Sequence, residues 1–366
     1  MRIGDVDIGS GALLAPMEAV TDLAFRTVCE EQGAALTFTE FLSAQALTRG
    51  AVKATGRMWA SLGGRRFAVQ VFGREPEVLA RAAQMAADIG ASIVDINMGC
   101  PARKVTAGLC GSALMREPDL AARIVDAVRT ALPASIPVTV KHRAGWDDLS
   151  LNAAGFARRM VDAGAALITV HGRTRSQGFA GTVRLAAIAE VRATLPRHIP
   201  VVGNGDVKSV ADYLAMKGAT NCDSVMIGRA CRGNPWLFRD VRAIEEGKPV
   251  PAPPSITERR VVWRRHADLV VEYAAPKMAL HELRKTLAWY SRGLFSGAEL
   301  RHRCFAETNP SALLDLGEGF FARLAVREAS HGSDLGEPPS PPETKCQERH
   351  ARHLLGRAEE REPCDV

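Results

Sequence analysis

The 366-residue sequence lacks any uninterrupted apolar run of about 18 residues, the length that a helix needs to cross a membrane. Its first residues, MRIGDVDIGSG, are polar and glycine-rich and lack the apolar stretch of a secretory signal. These absences exclude a membrane-spanning helix and predict a protein that works in the cytoplasm without a membrane partner. We also expect a monomer.

Paired cysteines are missing as well. The eight cysteines are scattered along the chain, and no two form a C-x-x-C pair. We therefore expect no disulfide framework and no metal site. A G-x-G-x-x-G fingerprint between a first strand and a helix is also absent, so NADPH or NADH is expected only as a transient reductant.

The composition is that of a globular protein. Hydrophobic residues make up 46% and charged residues 24% of the chain, which excludes disorder along its whole length. Lys and Arg number 47 against 41 Asp and Glu, and the resulting net charge of +6 permits an anionic partner.

Short β-branched runs alternate with amphipathic, alanine-rich segments between residues 13 and 229. The runs are apolar almost throughout, as in strands that are buried on both faces of a sheet. They cover residues 13–18, 36–40, 67–73, 93–97, 138–143, 167–172, 201–206 and 224–229. Eight strand–helix units predict an α/β fold, a (β/α)8 TIM barrel over residues 1–245, with a doubly wound open sheet as the alternative.

The pattern changes after residue 245. A proline-rich linker, EEGKPVPAPPS, leads into a segment that we predict as a C-terminal helical domain over residues 246–329. Residues 258–305 contain ten Lys or Arg against five Asp or Glu, a basic balance that favours an anionic partner. Residues 330–366 have few apolar side chains and are predicted to be a disordered tail.

Polar residues and glycines collect at the carboxyl ends of the predicted strands, where TIM barrels carry their active sites. A barrel built only for stability does not need such residues on most of its strands, and we interpret them as a binding site. The residues at these ends are Pro16, Met17, Glu18, Gln70, Asn97, Lys141, Arg143, His171, Arg173, Asn204, Gly205, Asp206, Gly228 and Arg229.

The last two strand ends favour a phosphorylated ligand. The glycine-rich segments 203–206 and 227–235 follow the seventh and eighth strands, where many TIM barrels hold a phosphate, and Arg229 adds positive charge. Gln70 and Asn97 offer amides to the edge of a planar heterocycle, and Lys141 offers a cation that stabilises a reduced flavin. These features fit FMN, although Lys141 could instead form a Schiff base, as in an aldolase.

Cys100 follows the fourth strand in the turn Asn97-Met98-Gly99-Cys100-Pro101. Such a thiol is exposed to substrate and can be a nucleophile, a general acid or an inert side chain, and Arg103 and Lys104 are expected to lower its pKa. A nucleophile needs a paired histidine, which no nearby spacing supplies, whereas a general acid needs only its placement.

In ten segments the sequence resembles the tRNA-dihydrouridine synthases, specifically the bacterial B-type, nitrogen-regulation-like branch. The resemblance covers most of the chain. The matching segments are APMEAVTD (15–22), FTEF (38–41), VQVFG (69–73), DINMGCPARKV (95–105), GSALM (111–115), VKHRAGWDD (140–148), ITVHGRTRSQGF (168–179), VVGNGDV (201–207), VMIGRACRGNPWLF (225–238) and ELRKTLAWYSRGL (282–294).

The resemblance implies that the enzyme reduces the C5–C6 double bond of a uridine in tRNA. NADPH would reduce FMN, flavin N5 would give a hydride to C6, and Cys100 would protonate C5. Substrate contacts are expected from Asn97, Arg143, Arg173 and Arg175. FMN contacts are expected from Pro16, Met17, Glu18, Gln70, Lys141, His171, Asn204, Gly205, Asp206, Gly228 and Arg229.

The helical segment offers two kinds of side chain for binding tRNA. The basic face, with Arg264, Arg265 and Arg284, is the stronger candidate, because an RNA substrate needs a large cationic surface. Trp289 and Tyr290 are expected to pack in the helical core instead.

Two positions depart from the family pattern. Glu18 stands where the family has a small residue, and its carboxylate would oppose a reduced flavin only if it points inward. Thr286 replaces a common histidine and is expected to alter RNA contacts. The alternatives to a tRNA enzyme are a small-molecule FMN oxidoreductase of the dihydroorotate or dihydropyrimidine dehydrogenase type and a non-catalytic RNA-binding protein.

Overall fold

The computed structural model describes residues 1–51 and 66–331. A short hairpin of β1 (Arg2–Ile3) and β2 (Val6–Asp7) precedes the barrel, and β5 (Leu42–Ser43) pairs with β6 beside it. The eight barrel strands are β3 (Leu13–Leu14), β4 (Thr37–Phe38), β6 (Phe67–Phe72), β7 (Ile93–Met98), β8 (Val138–Gly145), β9 (Leu167–Thr174), β10 (Val201–Asn204) and β11 (Ser224–Ile227).

The barrel strands form one parallel sheet that closes on itself. The hydrogen-bonded order runs β3-β11-β10-β9-β8-β7-β6-β4. A parallel bridge between Leu13 and Leu36 joins the two ends of this order, and the Leu14 N–H donates to the Leu36 carbonyl at 2.9 Å. The predicted (β/α)8 barrel is therefore confirmed, and the open-sheet alternative is wrong.

Helices surround the sheet and bury their alanine-rich faces against it. In α3, Pro76 opens the helix and Leu79, Ala82 and Ala86 are buried on its inner side, as its spacing dictates. The helices of this part of the chain are α1 (Leu23–Glu31), α2 (Ala44–Thr48), α3 (Pro76–Asp88), α4 (Arg103–Thr106), α5 (Pro118–Ala131), α6 (Ala153–Asp162), α7 (Leu185–Thr194), α8 (Val210–Thr220) and α9 (Trp236–Glu245).

A helical domain follows the barrel. Its helices are α10 (Ile256–Tyr273), α11 (Pro276–Tyr290), α12 (Gly297–Ala306) and α13 (Pro310–His331). A capping box of Ser255 and Glu258 starts α10. Apart from the end of α13, the predicted disordered tail lies outside the described residues. Within the described ranges, no helix is long and apolar enough to cross a membrane.

The barrel and the helical domain share a hydrophobic core. Ala24 and Val28 of α1 and Trp236 of α9 belong to the same buried cluster as Trp263 and Tyr290 of the helical domain. As predicted for Tyr290, its ring packs inside the core and is fully buried. The helical domain is thereby fixed beside the barrel mouth.

Candidate active site

A cavity of about 1140 Å³ opens at the carboxyl ends of the barrel strands. It brings together most of the residues that the sequence singled out. Those that line it are Pro16, Met17, Glu18, Asn97, Cys100, Lys141, Arg143, His171, Arg173, Arg175, Asn204, Gly205, Asp206, Gly228 and Arg229. A cavity of this size can enclose a cofactor and part of a substrate.

A cation and a neutral imidazole stand on the barrel strands that end in this cavity. The Lys141 Nζ donates to Asn204 Oδ1 at 3.0 Å, and burial lowers the pKa of Lys141 to about 8. Burial also lowers the pKa of His171 well below its ordinary value, and the neighbouring Lys141 and Arg143 lower it further. Near neutral pH the site therefore offers a predominantly charged lysine and an uncharged histidine.

The buried Arg173 holds the exposed Asp206 in the loop after β10. Arg173 donates from Nη1 to the Asp206 carboxylate at 3.0 Å and from Nε to the Ala180 carbonyl at 2.9 Å. This pairing lowers the pKa of Asp206. Because the carboxylate is already engaged, contact of Asp206 with a phosphate would have to come from its backbone. The substrate contact of Arg173 stays a prediction.

Gln70 differs from the other predicted site residues, because it is fully buried and does not line the cavity. Its amide nitrogen donates to Asp95 Oδ2 at 2.6 Å, and its amide oxygen accepts from Asn97 Nδ2 at 2.8 Å. The structure thus places Gln70 one step behind Asn97, and its direct contact with a cofactor stays a prediction.

Side chains hold the loop that carries Cys100 through hydrogen bonds to the backbone of the loop. Asn97 Oδ1 accepts from the N–H groups of Gly99 at 3.1 Å and Cys100 at 2.9 Å. The Cys100 carbonyl accepts from the Ser112 hydroxyl at 2.9 Å, and Arg143 Nε donates to the Gly99 carbonyl at 2.7 Å. The thiol therefore stands on a fixed turn at the cavity wall.

Lys104 lowers the pKa of the Cys100 thiol as expected, but burial outweighs its effect. Burial raises the pKa of Cys100 above its ordinary value, although Arg143 and Lys104 lower it in part. The thiol keeps its proton at neutral pH, as a proton donor requires, and a thiolate nucleophile is disfavoured.

Glu18 lines the cavity and forms an ion pair at its edge. Its carboxylate pairs with the Lys104 ammonium at 2.8 Å, and both side chains are substantially exposed. The Glu18 carboxylate therefore neutralises a surface cation, and its contact with FMN stays a prediction.

Thr286 does not reach the surface. It is buried in α11, and its hydroxyl donates to the Leu283 carbonyl at 2.9 Å. The expectation that Thr286 alters RNA contacts is therefore wrong, because its side chain packs within the helical domain.

The arginines expected to bind RNA are engaged within the protein. Arg264 pairs with Asp268 at 2.9 Å, Arg265 pairs with Glu31 at 2.9 Å, and Arg284 Nε donates to the Glu307 carbonyl at 3.2 Å. Sequence spacing identified the basic segment but not which of its cations have acidic partners. These three residues are therefore weaker candidates for RNA contact than predicted.

The structure adds site residues that the sequence argument missed. Arg232 and Arg292 line the cavity beside Arg229; burial lowers the pKa of Arg232, and the like charge of Arg292 lowers it further. Phe179 lines the cavity with 60% of its surface exposed, and the guanidinium groups of Arg143 and Arg229 lie 5.6 and 5.3 Å from its ring centre. The sequence signal that could have identified Arg232 and Arg292 was their positive charge within the family motifs 225–238 and 282–294.

A second stack flanks the same opening. Arg175 lies 4.5 Å and Arg116 lies 5.1 Å from the ring centre of Trp146. Cations held on an aromatic face keep their outer edges available to an anionic partner. Arg175 therefore stays a candidate substrate contact.

Comparison with known proteins finds relatives that cover most of the chain. The family model described as Dihydrouridine synthase (Dus) matches residues 13–321. A probable tRNA-dihydrouridine synthase of Rickettsia prowazekii (strain Madrid E) is 39% identical over 332 residues, which are 90% of this chain and 99% of the relative. The tRNA-dihydrouridine synthase B of Xanthomonas campestris pv. campestris (strain ATCC 33913) is 39% identical over 325 residues, 88% of this chain and 96% of the relative.

Among solved structures, that of a morphinone reductase N189A mutant in complex with tetrahydroNAD matches 69% of this chain and 91% of its own, with 14% identity and a TM-score of 0.46. The match to the family model and the two relatives extend over the barrel and into the helical domain. The chain therefore belongs to the dihydrouridine synthase family.

Proposed function

We propose that this protein reduces the C5–C6 double bond of a uridine in tRNA to 5,6-dihydrouridine, with FMN as the bound cofactor and NADPH as the reductant. One observation carries the proposal: a protonated thiol at Cys100, an amide at Asn97 and a buried cation at Lys141 line one cavity in a member of this family. The relatives' names supply the substrate class.

The cavity fits FMN by its size and by its donors. Lys141 offers a buried cation, His171 a neutral ring, and Arg229 a half-exposed guanidinium beside the loop after β11. Gly205 has a φ of +132°, and an added Cβ there would meet Val183 at 2.7 Å, so the loop after β10 needs glycine. When bound, FMN would take a hydride from NADPH and deliver it to C6 of the uracil.

Cys100 holds the proton that the reaction needs. Hydride addition at C6 leaves negative charge at C5 and O4 of the uracil, and the thiol Sγ–H delivers a proton to C5. The high pKa of Cys100 keeps that proton in place until charge develops.

Asn97 can contact the uracil without releasing the loop. Its oxygen accepts two backbone N–H groups, and one of its two N–H bonds is used by Gln70. An amide NH2 group has two donors, so one remains to donate to a uracil carbonyl.

The arginines at the mouth supply the attraction for tRNA. Arg232 and Arg292 lie beside the opening, and each phosphate that they neutralise contributes to binding. A uridine inside folded tRNA must be turned out of its stack to enter the cavity, and the exposed ring of Phe179 offers a stacking surface at the rim. A small-molecule oxidoreductase or an aldolase gives no role to this surface.

The deciding experiment is to map dihydrouridine in tRNA from cells that lack the gene, before and after complementation. We expect one or more uridines to lose the modification and the wild-type gene to restore it. Cys100→Ala should bind FMN and accept electrons from NADPH normally, yet reduce uridine about 10²-fold or more slowly. Unchanged dihydrouridine after deletion, or a purified protein that does not bind FMN, would refute the proposal.

A further inference from the structure

A line of hydrogen bonds runs beneath the cavity and ends at Cys100. Gln70, Asp95 and Thr139 lie in register on β6, β7 and β8. The Thr139 hydroxyl donates to one oxygen of Asp95, and the Gln70 amide donates to the other. Gln70 then accepts from Asn97, which holds the Cys100 N–H.

The direction of each bond in this line follows from the backbone. The N–H groups of Gly99 and Cys100 can only donate, so Asn97 must face them with its oxygen. Its nitrogen then faces Gln70, which must present its oxygen and turn its own nitrogen away. Only an acceptor at position 95 can receive that nitrogen, and Asp95 provides one.

The carboxyl group of Asp95 is costly at this position. It is fully buried, and burial raises its pKa to about 7, although the bonds from Gln70 and Thr139 lower it in part. An apolar side chain of similar size would avoid this desolvation, so packing alone gives no reason for a carboxyl group here. Its value lies in accepting two donors at once.

We propose that Asp95 is a positioning residue, which acts through Gln70 and Asn97 to hold the turn that places the Cys100 thiol at the cavity wall. Thr139 supports Asp95 from the opposite side and is a secondary member of the line. This inference rests on the proposed function, because it assigns Asp95 to the proton-donating step. Asp95 itself does not touch the substrate.

Three variants separate positioning from packing. Asp95→Asn keeps an oxygen that accepts from Gln70, and its new N–H group can donate to Thr139. Asp95→Leu keeps the branched shape of the side chain, at a larger volume, but removes the acceptor, so the Gln70 amide loses the partner that fixes its direction and its bond to Asn97 is no longer held. Thr139→Val removes one donor to Asp95 and leaves the line to Cys100 intact, which makes it the matched control.

The first measurement is the pH dependence of Cys100 alkylation by iodoacetamide in the purified holoprotein, followed by mass spectrometry of the Cys100 peptide. We expect Asp95→Leu to displace this profile, because the freed turn changes the surroundings of the thiol. Asp95→Asn and Thr139→Val should keep the wild-type profile. This measurement uses neither tRNA nor NADPH, so it tests positioning even if the proposed function fails.

The second measurement is the steady-state reduction of tRNA uridine. Asp95→Leu should lower kcat by roughly 10-fold to 100-fold, as a misplaced catalytic group does, with an unchanged KM for tRNA and unchanged FMN content, in protein that is folded at the assay temperature. Asp95→Asn should restore kcat to within a few-fold of wild type. A wild-type alkylation profile and kcat in Asp95→Leu would overturn the inference, as would an equal loss of folding and kcat in both Asp95 variants.

Discussion

The carboxylate of Glu18 and the ammonium of Lys104 lie 2.8 Å apart and join the loop after β3 to α4, just beyond Cys100. Both groups act on the thiol, but in opposite directions. Glu18 raises the pKa of Cys100, whereas Lys104 lowers it. The ion pair therefore tunes the proton donor from the rim of the cavity.

Removing the Glu18 charge and removing the Lys104 charge should shift the pH profile of Cys100 alkylation in opposite directions. Glu18→Gln should shift the pH dependence of Cys100 alkylation to lower pH, and Lys104→Gln should shift it to higher pH. The free energy of unfolding should change by less than about 1 kcal/mol in each variant, because the pair is exposed. Shifts of the same sign in both variants would show that the charges do not act on the thiol.

Gly111 should be essential to the position of Cys100. Its φ is +59°, and an added Cβ would meet the Cys100 carbonyl oxygen and Val105 Cγ1, each at 2.9 Å. We expect Gly111→Ala to slow uridine reduction about tenfold or more and to destabilise the fold by about 1 kcal/mol or more. The matched control is Gly108→Ala, whose Cβ would meet nothing nearer than 3.6 Å. Equal activity of the two variants would count against a fixed turn.

Arg232 and Arg292 should contribute more to tRNA affinity than Arg264 does. We expect the double variant Arg232→Ala/Arg292→Ala to weaken tRNA binding and to flatten the plot of log affinity against log salt by about one unit for each phosphate that is no longer neutralised. Arg264→Ala is the control, because Arg264 pairs with Asp268 within α10. Filter binding over a range of salt concentrations measures the tRNA affinity and its salt dependence. Equal slopes for the wild type and the double variant would place the RNA elsewhere.

His266 should make the fold sensitive to acid. It is fully buried between Phe25 and Tyr290, and burial lowers its pKa to about 3. The unfolded chain binds a proton near its ordinary pKa of about 6.5 and the folded chain does not, so stability falls as the pH drops below that value. The loss from this residue between pH 6.5 and pH 5 is about 1.7 kcal/mol.

Denaturation by urea at several pH values tests this. His266→Phe should remove part of the acid sensitivity, because an apolar ring cannot take up the proton in either state. His281→Phe, at an exposed position of α11, is the control and should leave the sensitivity unchanged. Acid sensitivity that is identical in the wild type and in His266→Phe would contradict the assignment. His142, whose pKa burial lowers to about 4, is expected to account for part of the remainder.

The sequence predicted the barrel well because its strands are buried on both faces and so carry an unbroken apolar signal. Each of the eight predicted runs overlaps an observed barrel strand, and the polar residues assigned to their ends meet in one cavity, apart from Gln70. The alternation of strands and helices does not depend on distant contacts, so the local hydrophobic pattern was sufficient to predict the fold.

The sequence did not predict the interactions that depend on distant partners. Gln70 lies inside β6 rather than at its end, and its two bonds to Asp95 and Asn97 cross strands and hold it behind the cavity. Cys100 was expected to respond to nearby cations, yet burial outweighs them. The basic residue Arg265 is paired with Glu31, which precedes it by more than 200 residues.

Helix α1 contributes Phe25 to the barrel core and Ala24 and Val28 to the core of the helical domain. A fragment ending at Glu245 would leave these two residues and Trp236 facing water. The two parts are accordingly expected to melt in one transition rather than two. A hinge motion between the two parts would have to separate the residues of this shared core. The angle at which an incoming RNA meets the barrel is therefore set when the protein folds and stays the same in each binding event.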